Sequence, residues 1–328
     1  MIVVNLVGGL ASQLHKYMLA LSIGQKLKKQ VKVDLSFFTE EMYQYNNIMK
    51  YELPNLGLNP DIASKKEVAL AKGHTTASYV VMSLFKLKVL NEFFFNLPAR
   101  IAGRLGRALK SSGIMFKEYI YIHIADKDFD PEWLEKIPAN IKAIYLDGEP
   151  GFDIKLIESV RVDISKNISE LKFGSDSYKS YLQKIKQAKN PVAVHVRRGD
   201  YVDNKEVNEF IGVCAPQYYV DVINILNKNV DEPVFYIFSD DMDFAKNCFK
   251  GLDSDIVYVE SNSSFEDFSL LVNCSYHAIS NSGFSSLGAY LSGCPEGNVY
   301  APIRFYLDRI TNSNMFKILP VGWNFIDS

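Results

Sequence analysis

From Pro191 onward, short runs of apolar, β-branched and aromatic residues alternate with stretches whose apolar positions recur at helical spacing. Val192–Val196, Val234–Phe238, Asp255–Val259, Tyr276–Ile279 and Val299–Ala301 predict strands. Between them, 216–228 predicts a helix with proline at its start, 241–249 a short helix, and 284–292 a helix closed by Gly293. Ser264 can cap one more helix. Its first turn then carries Glu266 and Asp267, where the helix dipole favours carboxylates, and Phe265, Phe268, Leu271 and Val272 share one face. Such alternation builds a parallel sheet with helices on both faces.

The first half opens the same way. Ile2–Val7 reads as a strand, Gly8-Gly9 as a turn, 11–29 as a long helix and Val31–Leu35 as a second strand. Beyond Phe37 the pattern breaks up, and strands resume at 119–124 and 143–146. The polar stretch 175–190 predicts a connecting helix. The simplest assembly is two α/β domains, 1–175 and a Rossmann-type 176–328.

Composition narrows the function classes. Hydrophobic residues make up 48% and charged residues 23%, which fits a globular protein with a substantial core. Lys and Arg total 36 against 38 Asp and Glu, for a net charge of −2, so nucleic acid is not an expected partner. Cys214, Cys248, Cys274 and Cys294 form no C-x-x-C pair, which speaks against a zinc site or a disulfide scaffold. No signal peptide or membrane-length apolar run is evident, and a cytoplasmic location is expected. One segment, 84–117, is basic: Arg100, Arg104 and Arg107 form a stripe beside Phe93-Phe94-Phe95. It reads as a solvated helix face or as a contact for anionic lipid headgroups or a lipid-linked acceptor.

In an open parallel sheet, ligands bind outside the carboxyl ends of the strands. Three polar loops fall there: Arg197-Arg198-Gly199-Asp200, Ser239-Asp240-Asp241 and Ser280-Asn281-Ser282-Gly283. Arginine grips a diphosphate through paired charge-assisted hydrogen bonds. Asn281 and Ser282, opening a helix, offer donors to a phosphate. Asp240 or Asp241 could pair with the N1–H and N2 amine of guanine, which adenine lacks. Each piece has a plainer reading: a surface ion-pair turn, helix caps at Asp241 and Ser282, and a core histidine at His277. Asp241-x-Asp243 also matches the D-x-D of metal-dependent glycosyltransferases. Their concurrence at one sheet edge favours the nucleotide.

The residues also resemble a known family. His195-Val196-Arg197-Arg198-Gly199-Asp200-Tyr201 is similar to the H-x-R-R-x-D motif of the α1,2-fucosyltransferases and their α1,6 and protein-O-fucosyltransferase relatives. Phe238-Ser239-Asp240-Asp241 continues the likeness, and Asp267, Cys274 and His277 lead into Ile279-Ser280-Asn281-Ser282-Gly283-Phe284-Ser285, which resembles that family's D…C…H…N-S-S-F-S block. Gly8-Gly9-Leu10-Ala11-Ser12-Gln13 resembles its G-G-L-G-N-Q opening. The resemblance implies a GT-B-like pair of doubly wound Rossmann-type domains facing a cleft, with 1–175 expected on the acceptor side and 176–328 expected to bind the GDP-sugar. It also implies inverting transfer of L-fucose from GDP-fucose to a glycan hydroxyl, without metal or cofactor. Carried over, Arg197 binds the β-phosphate, with Arg198, His195 and Asp200 building the motif. Asn281 and Ser282 assist at the phosphates, and Gly8, Gly9 and Gln13 lie near the donor. The acceptor-activating base is Asp200, Asp203 or Glu206. Alternatives from the residues are another GDP-sugar or linkage, or a non-catalytic glycan- or membrane-surface-binding protein.

Overall fold

The computed structural model describes residues 1–38, 49–72, 119–123 (backbone), 137, 141–148, 154–260, 263–309, 311–313 and 319–328. The basic segment 84–117 therefore lies outside the described residues.

Strand β1 (Ile2–Asn5) feeds helix α1 (Leu10–Leu27), followed by β2 (Val31–Asp34), α2 (Lys65–Ala71), β3 (Tyr119–His123) and β4 (Ala143–Asp147). The four strands form a parallel sheet in the order β2-β1-β4-β3. Alternation along β1 sorts its side chains: Ile2 and Val4 join the core under α1, while Val3 packs with Ala71, Ala143 and Tyr145 under α2. A strand covered on both faces reads as an unbroken apolar run. The capping box of α2, Ser64 with Glu67, fixes where that helix begins.

Helices α3 (Glu158–Ser169) and α4 (Asp176–Gln187) lead into the second half, α4 being the predicted connecting helix with Ser175 as its cap. There follow β5 (Asn190–Val196), α5 (Gly199–Asp203), α6 (Lys205–Phe210), α7 (Pro216–Asn229), β6 (Pro233–Ser239), α8 (Met242–Cys248) and β7 (Asp255–Tyr258). Then come α9 (Ser264–Val272), β8 (Tyr276–Ala278), α10 (Gly283–Leu291), β9 (Val299–Pro302) and β10 (Asn324–Ile326). The second sheet is parallel, ordered β10-β9-β8-β5-β6-β7. The chain thus builds outward from β5 through β6 and β7, then reverses to β8 beside β5. Its topological switch point lies between β5 and β8, where the Rossmann rule places a ligand.

Three expectations need correction. The loop after β5 holds two short helices, α5 and α6. A tenth strand, β10, extends the sheet past β9. Ser263 caps α9 rather than Ser264, because its side chain accepts the Glu266 N–H. Ser264 instead donates to the Glu52 carboxylate at 2.9 Å.

The halves share one core. Leu14 and Met18 of α1, Val160 and Ile164 of α3, Phe268 and Val272 of α9, and Leu287 and Leu291 of α10 belong to a single buried cluster. Each such side chain contributes roughly 1.5–3 kcal/mol of burial. Leu271, expected on the same face as Phe268, turns to a separate cluster with Tyr178 and Phe238. Helices α1 and α10 pack together, each starting at the carboxyl edge of its own sheet. Among the described residues, no helix is long and apolar enough to cross a membrane.

Candidate active site

At the switch point, β5 delivers Arg197 and Arg198 directly beyond its last paired residue. Arg197 Nη2 donates to Asp200 Oδ1 at 2.5 Å and Nη1 lies 2.8 Å from Asp240 Oδ2. The Asp240 carboxylate also accepts the Arg198 backbone N–H at 2.7 Å. Asp240 therefore shapes the arginine loop with both oxygens. Asp241 does otherwise: Oδ1 caps α8 through the Phe244 N–H at 3.0 Å, and Oδ2 lies 4.0 Å from Arg198 Nε. Between these two carboxylates, Asp241 is the one with an oxygen to offer a base. Ser239 braces the turn by donating to the Val196 carbonyl at 2.9 Å and accepting from Asp241 N at 3.0 Å.

The turn requires glycine at 199. Its φ is +25°, and a Cβ there would sit 2.6 Å from Asp240 Oδ2. Arg198 lies over the Phe244 ring, 4.0 Å from its centroid, a contact that holds a guanidinium in place. The Nε atoms of both arginines are buried without a hydrogen-bond partner among the described residues. Beside them a cavity of about 450 Å3 is lined by Arg198, Gly199, Asp203, Asp241, Lys246 and Glu260. The carboxylate and cationic side chains of this hollow offer hydrogen-bonding partners to a polar ligand.

The β8 side completes the site. Ser282 caps α10, its Oγ accepting the Phe284 N–H at 3.3 Å. Its side chain faces the Tyr201 hydroxyl, and the Arg197 guanidinium lies 5.2 Å from the Tyr201 ring centroid. Arg197 and Ser282 thus flank one tyrosine at the amino end of a nine-residue helix. A cation beside a helix N-terminus makes a seat for an anion. Burial pushes the Tyr201 hydroxyl up to about 12, so it stays protonated and able to donate. Tyr201 sits within the quoted motif without an assigned role, and its place one turn after Arg198 is the signal that marks it.

His195 and Asn281 do different work. The His195 ring is buried, with Nδ1 2.9 Å from Ser280 Oγ and the Phe284 ring 5.2 Å away. Burial, with Arg197 nearby, pulls its pKa down to about 3, so the imidazole is neutral and positions Ser280. The Asn281 amide donates to the carbonyls of Ile211 and Gly212 at 3.3 and 3.1 Å, binding the end of α6 to β8. His277, wholly buried and pulled down to about 3 by burial, is a core histidine.

On the first sheet, Gly8 holds φ +77° and Gly9, the N-cap of α1, faces open space. Gln13 is wholly buried. Its Nε2 donates to the carbonyls of Gly8 and Lys50 at 2.9 and 2.7 Å, and its Oε1 accepts the Glu52 N–H at 2.9 Å. The Glu52 carboxylate in turn accepts from Ser264 Oγ at 2.9 Å, tying this network to the first turn of α9. Of the three candidate bases, Asp200 alone touches Arg197; Asp203 lines the cavity and Glu206 is exposed on α6.

The model of glycosyl transferase family 11 matches residues 110–326. The chain belongs to this family. An alpha-1,2-colitosyltransferase of Escherichia coli is 36% identical over 145 residues, covering 43% of this chain and 49% of that protein. The Escherichia coli O-antigen biosynthesis glycosyltransferase WbnK is 31% identical over 147 residues, 44% of this chain and 47% of the other. Rat galactoside alpha-(1,2)-fucosyltransferase 2 is 31% identical over 106 residues, 31% and 30% of the two chains. The chain spans about half the length, or less, of these curated relatives. Among solved structures, the fucosyltransferase NodZ from Bradyrhizobium has 12% identity and a TM-score of 0.43 over 88% of this chain and 91% of the other. POFUT1 in complex with GDP-fucose has 10% identity and a TM-score of 0.39 over 88% and 92%. In this member of the family, the matched span contains the whole Arg197–Ser282 constellation.

Proposed function

We propose that this chain transfers L-fucose from GDP-fucose to a galactosyl-type hydroxyl, forming an α1,2 linkage with inversion, in the synthesis of a surface polysaccharide. The observation that carries the reading is Arg197 and Ser282 flanking Tyr201 at the switch point of the second sheet. In this assignment Arg197, Ser282 and the first turn of α10 hold the diphosphate, with Gly8-Gly9 nearby, and Asp241 and the polar cavity hold guanosine. The acceptor oxygen bonds to the anomeric carbon as the bond from that carbon to the β-phosphate oxygen breaks. GDP leaves with the electron pair, and its growing negative charge is met by the guanidinium and the helix dipole, so neither metal nor cofactor is required. Asp200 is paired with Arg197 before the donor arrives; a diphosphate taking Arg197 frees that carboxylate to accept the acceptor's proton. A cytoplasmic location and membrane contact through 84–117, beside a lipid-linked acceptor, go with this reading.

A second donor has a specific observation in its favour, the 36% identity to a colitosyltransferase. Calorimetric titration with GDP, GDP-fucose, GDP-colitose, GDP-mannose and UDP decides between them. The proposal expects GDP and GDP-fucose to bind and UDP to be silent. Equal binding of UDP would remove guanine recognition, and preference for GDP-colitose would reassign the donor sugar.

A further inference from the structure

The strand order lays out the carboxyl edge of the second sheet as a series of environments. Over β6 and β7 lies the polar cavity. Over β5 and β8 stand Arg197, Tyr201 and Ser282. Toward β9 the chemistry changes. Phe210 is 48% and Leu307 53% exposed, and the Phe210 and Tyr306 rings meet with centroids 5.2 Å apart. Large apolar side chains gathered in water beside a polar site mark a binding surface.

The backbone is braced to hold them there. Leu307 N donates to the Phe210 carbonyl at 3.0 Å. Asn312 Oδ1 accepts the N–H groups of Phe305 and Tyr306 at 2.7 and 3.1 Å, while its Nδ2 donates to the Ile303 carbonyl at 2.9 Å. Gly212 takes φ +72° where a Cβ would lie 3.1 Å from Leu307, so the two segments close tightly. Asn208 Nδ2 donates to the Tyr201 carbonyl at 2.6 Å, fastening α6 to the residue that touches Ser282.

We propose that Phe210, Tyr306 and Leu307 form a platform that seats a pyranose ring of the acceptor glycan. The inference rests on the diphosphate lying at Arg197. If the nucleoside fills the β6–β7 side, the donor's sugar end and the incoming acceptor meet on the β9 side, where this surface begins. A pyranose presents C–H groups on one face and hydroxyls around its rim. Aromatic rings pack against the first and leave the second in water, and the Tyr306 hydroxyl adds a polar edge.

Saturation-transfer NMR on the full chain, with and without GDP, tests this using methyl glycosides of galactose, glucose, mannose and N-acetylglucosamine. Saturation should reach the ring protons of one face of at least one glycoside. Phe210→Ala and Tyr306→Ala should each weaken that glycoside about tenfold, Phe210→Tyr should retain it, and all should bind GDP like the parent. The platform is overturned if no glycoside receives saturation, or if Phe210→Ala leaves the signal unchanged. It is also overturned if sedimentation finds a dimer that Phe210→Ala dissolves, which would give the surface to a second copy of the chain. Absence of GDP binding by the parent strikes the donor reading instead, and the measurements without GDP still decide the platform.

Discussion

The carboxyl edges of the two sheets are built from similar parts and used differently. Each has a glycine-containing loop running into a helix, with amide and carboxylate side chains around it. On the first sheet most of these groups are bound within the fold, Asn5 Oδ1 excepted. Gln13 is taken by three backbone groups, Asn5 Nδ2 donates to Asp147 at 2.9 Å, and Asp34 accepts from the Tyr145 hydroxyl at 2.6 Å and the Ser36 N–H at 3.0 Å. On the second sheet Arg197 is held by two carboxylates, and Arg198 lines an open cavity with Asp241 and Lys246. The lesson lies in the partners. Side chains bonded to backbone groups from distant segments brace the scaffold, while charged side chains at the rim of a cavity can exchange their partners for a ligand.

Three substitutions sharpen or break that contrast. The largest effect is expected on the second edge: Arg197→Lys, in folded protein, should lower kcat with GDP-fucose at least ~100-fold, the scale of a lost transition-state donor. Turnover near that of the parent would remove Arg197 from the mechanism. Gly199→Ala comes next. Its methyl drives into Asp240 and unseats both arginines, so GDP affinity should fall about tenfold or more in a titration, the size of a charged hydrogen bond. The smallest change in function belongs to the first edge. Gln13→Ala strands three backbone groups and should cost about 2 kcal/mol in urea unfolding, with GDP affinity altered less than about threefold. A drop in GDP binding matching that of Gly199→Ala would mean that both edges hold the donor.

The sequence made the alternation after Pro191 legible because buried parallel strands are continuous apolar runs. Topology then followed from chain order, and with it the meeting of the 197, 240 and 282 loops. What it could not resolve was direction. Asp240 and Asp241 are adjacent acids, and only the turn that Ser239 stabilises sends one to Arg197 and the other to α8. Asn281 reads as a donor to a phosphate and Gln13 as a residue near the sugar donor, yet both sit against carbonyls brought from distant segments. Strand β10 escaped notice because three residues carry no period of their own, and Ser263 and Ser264 are chemically identical candidates for one cap. The exposed Phe210 and Leu307 were invisible for a similar reason, since an apolar residue in a sequence gives no sign of which side of the surface it occupies.

A guanidinium gripped by two carboxylates is never left as a bare cation. If a nucleotide leaves this site as proposed, Asp200 and Asp240 are placed to close on Arg197 at once, so that no charge is stranded in the groove. In the proposed reaction that internal competition would hold down affinity for the product and favour its release.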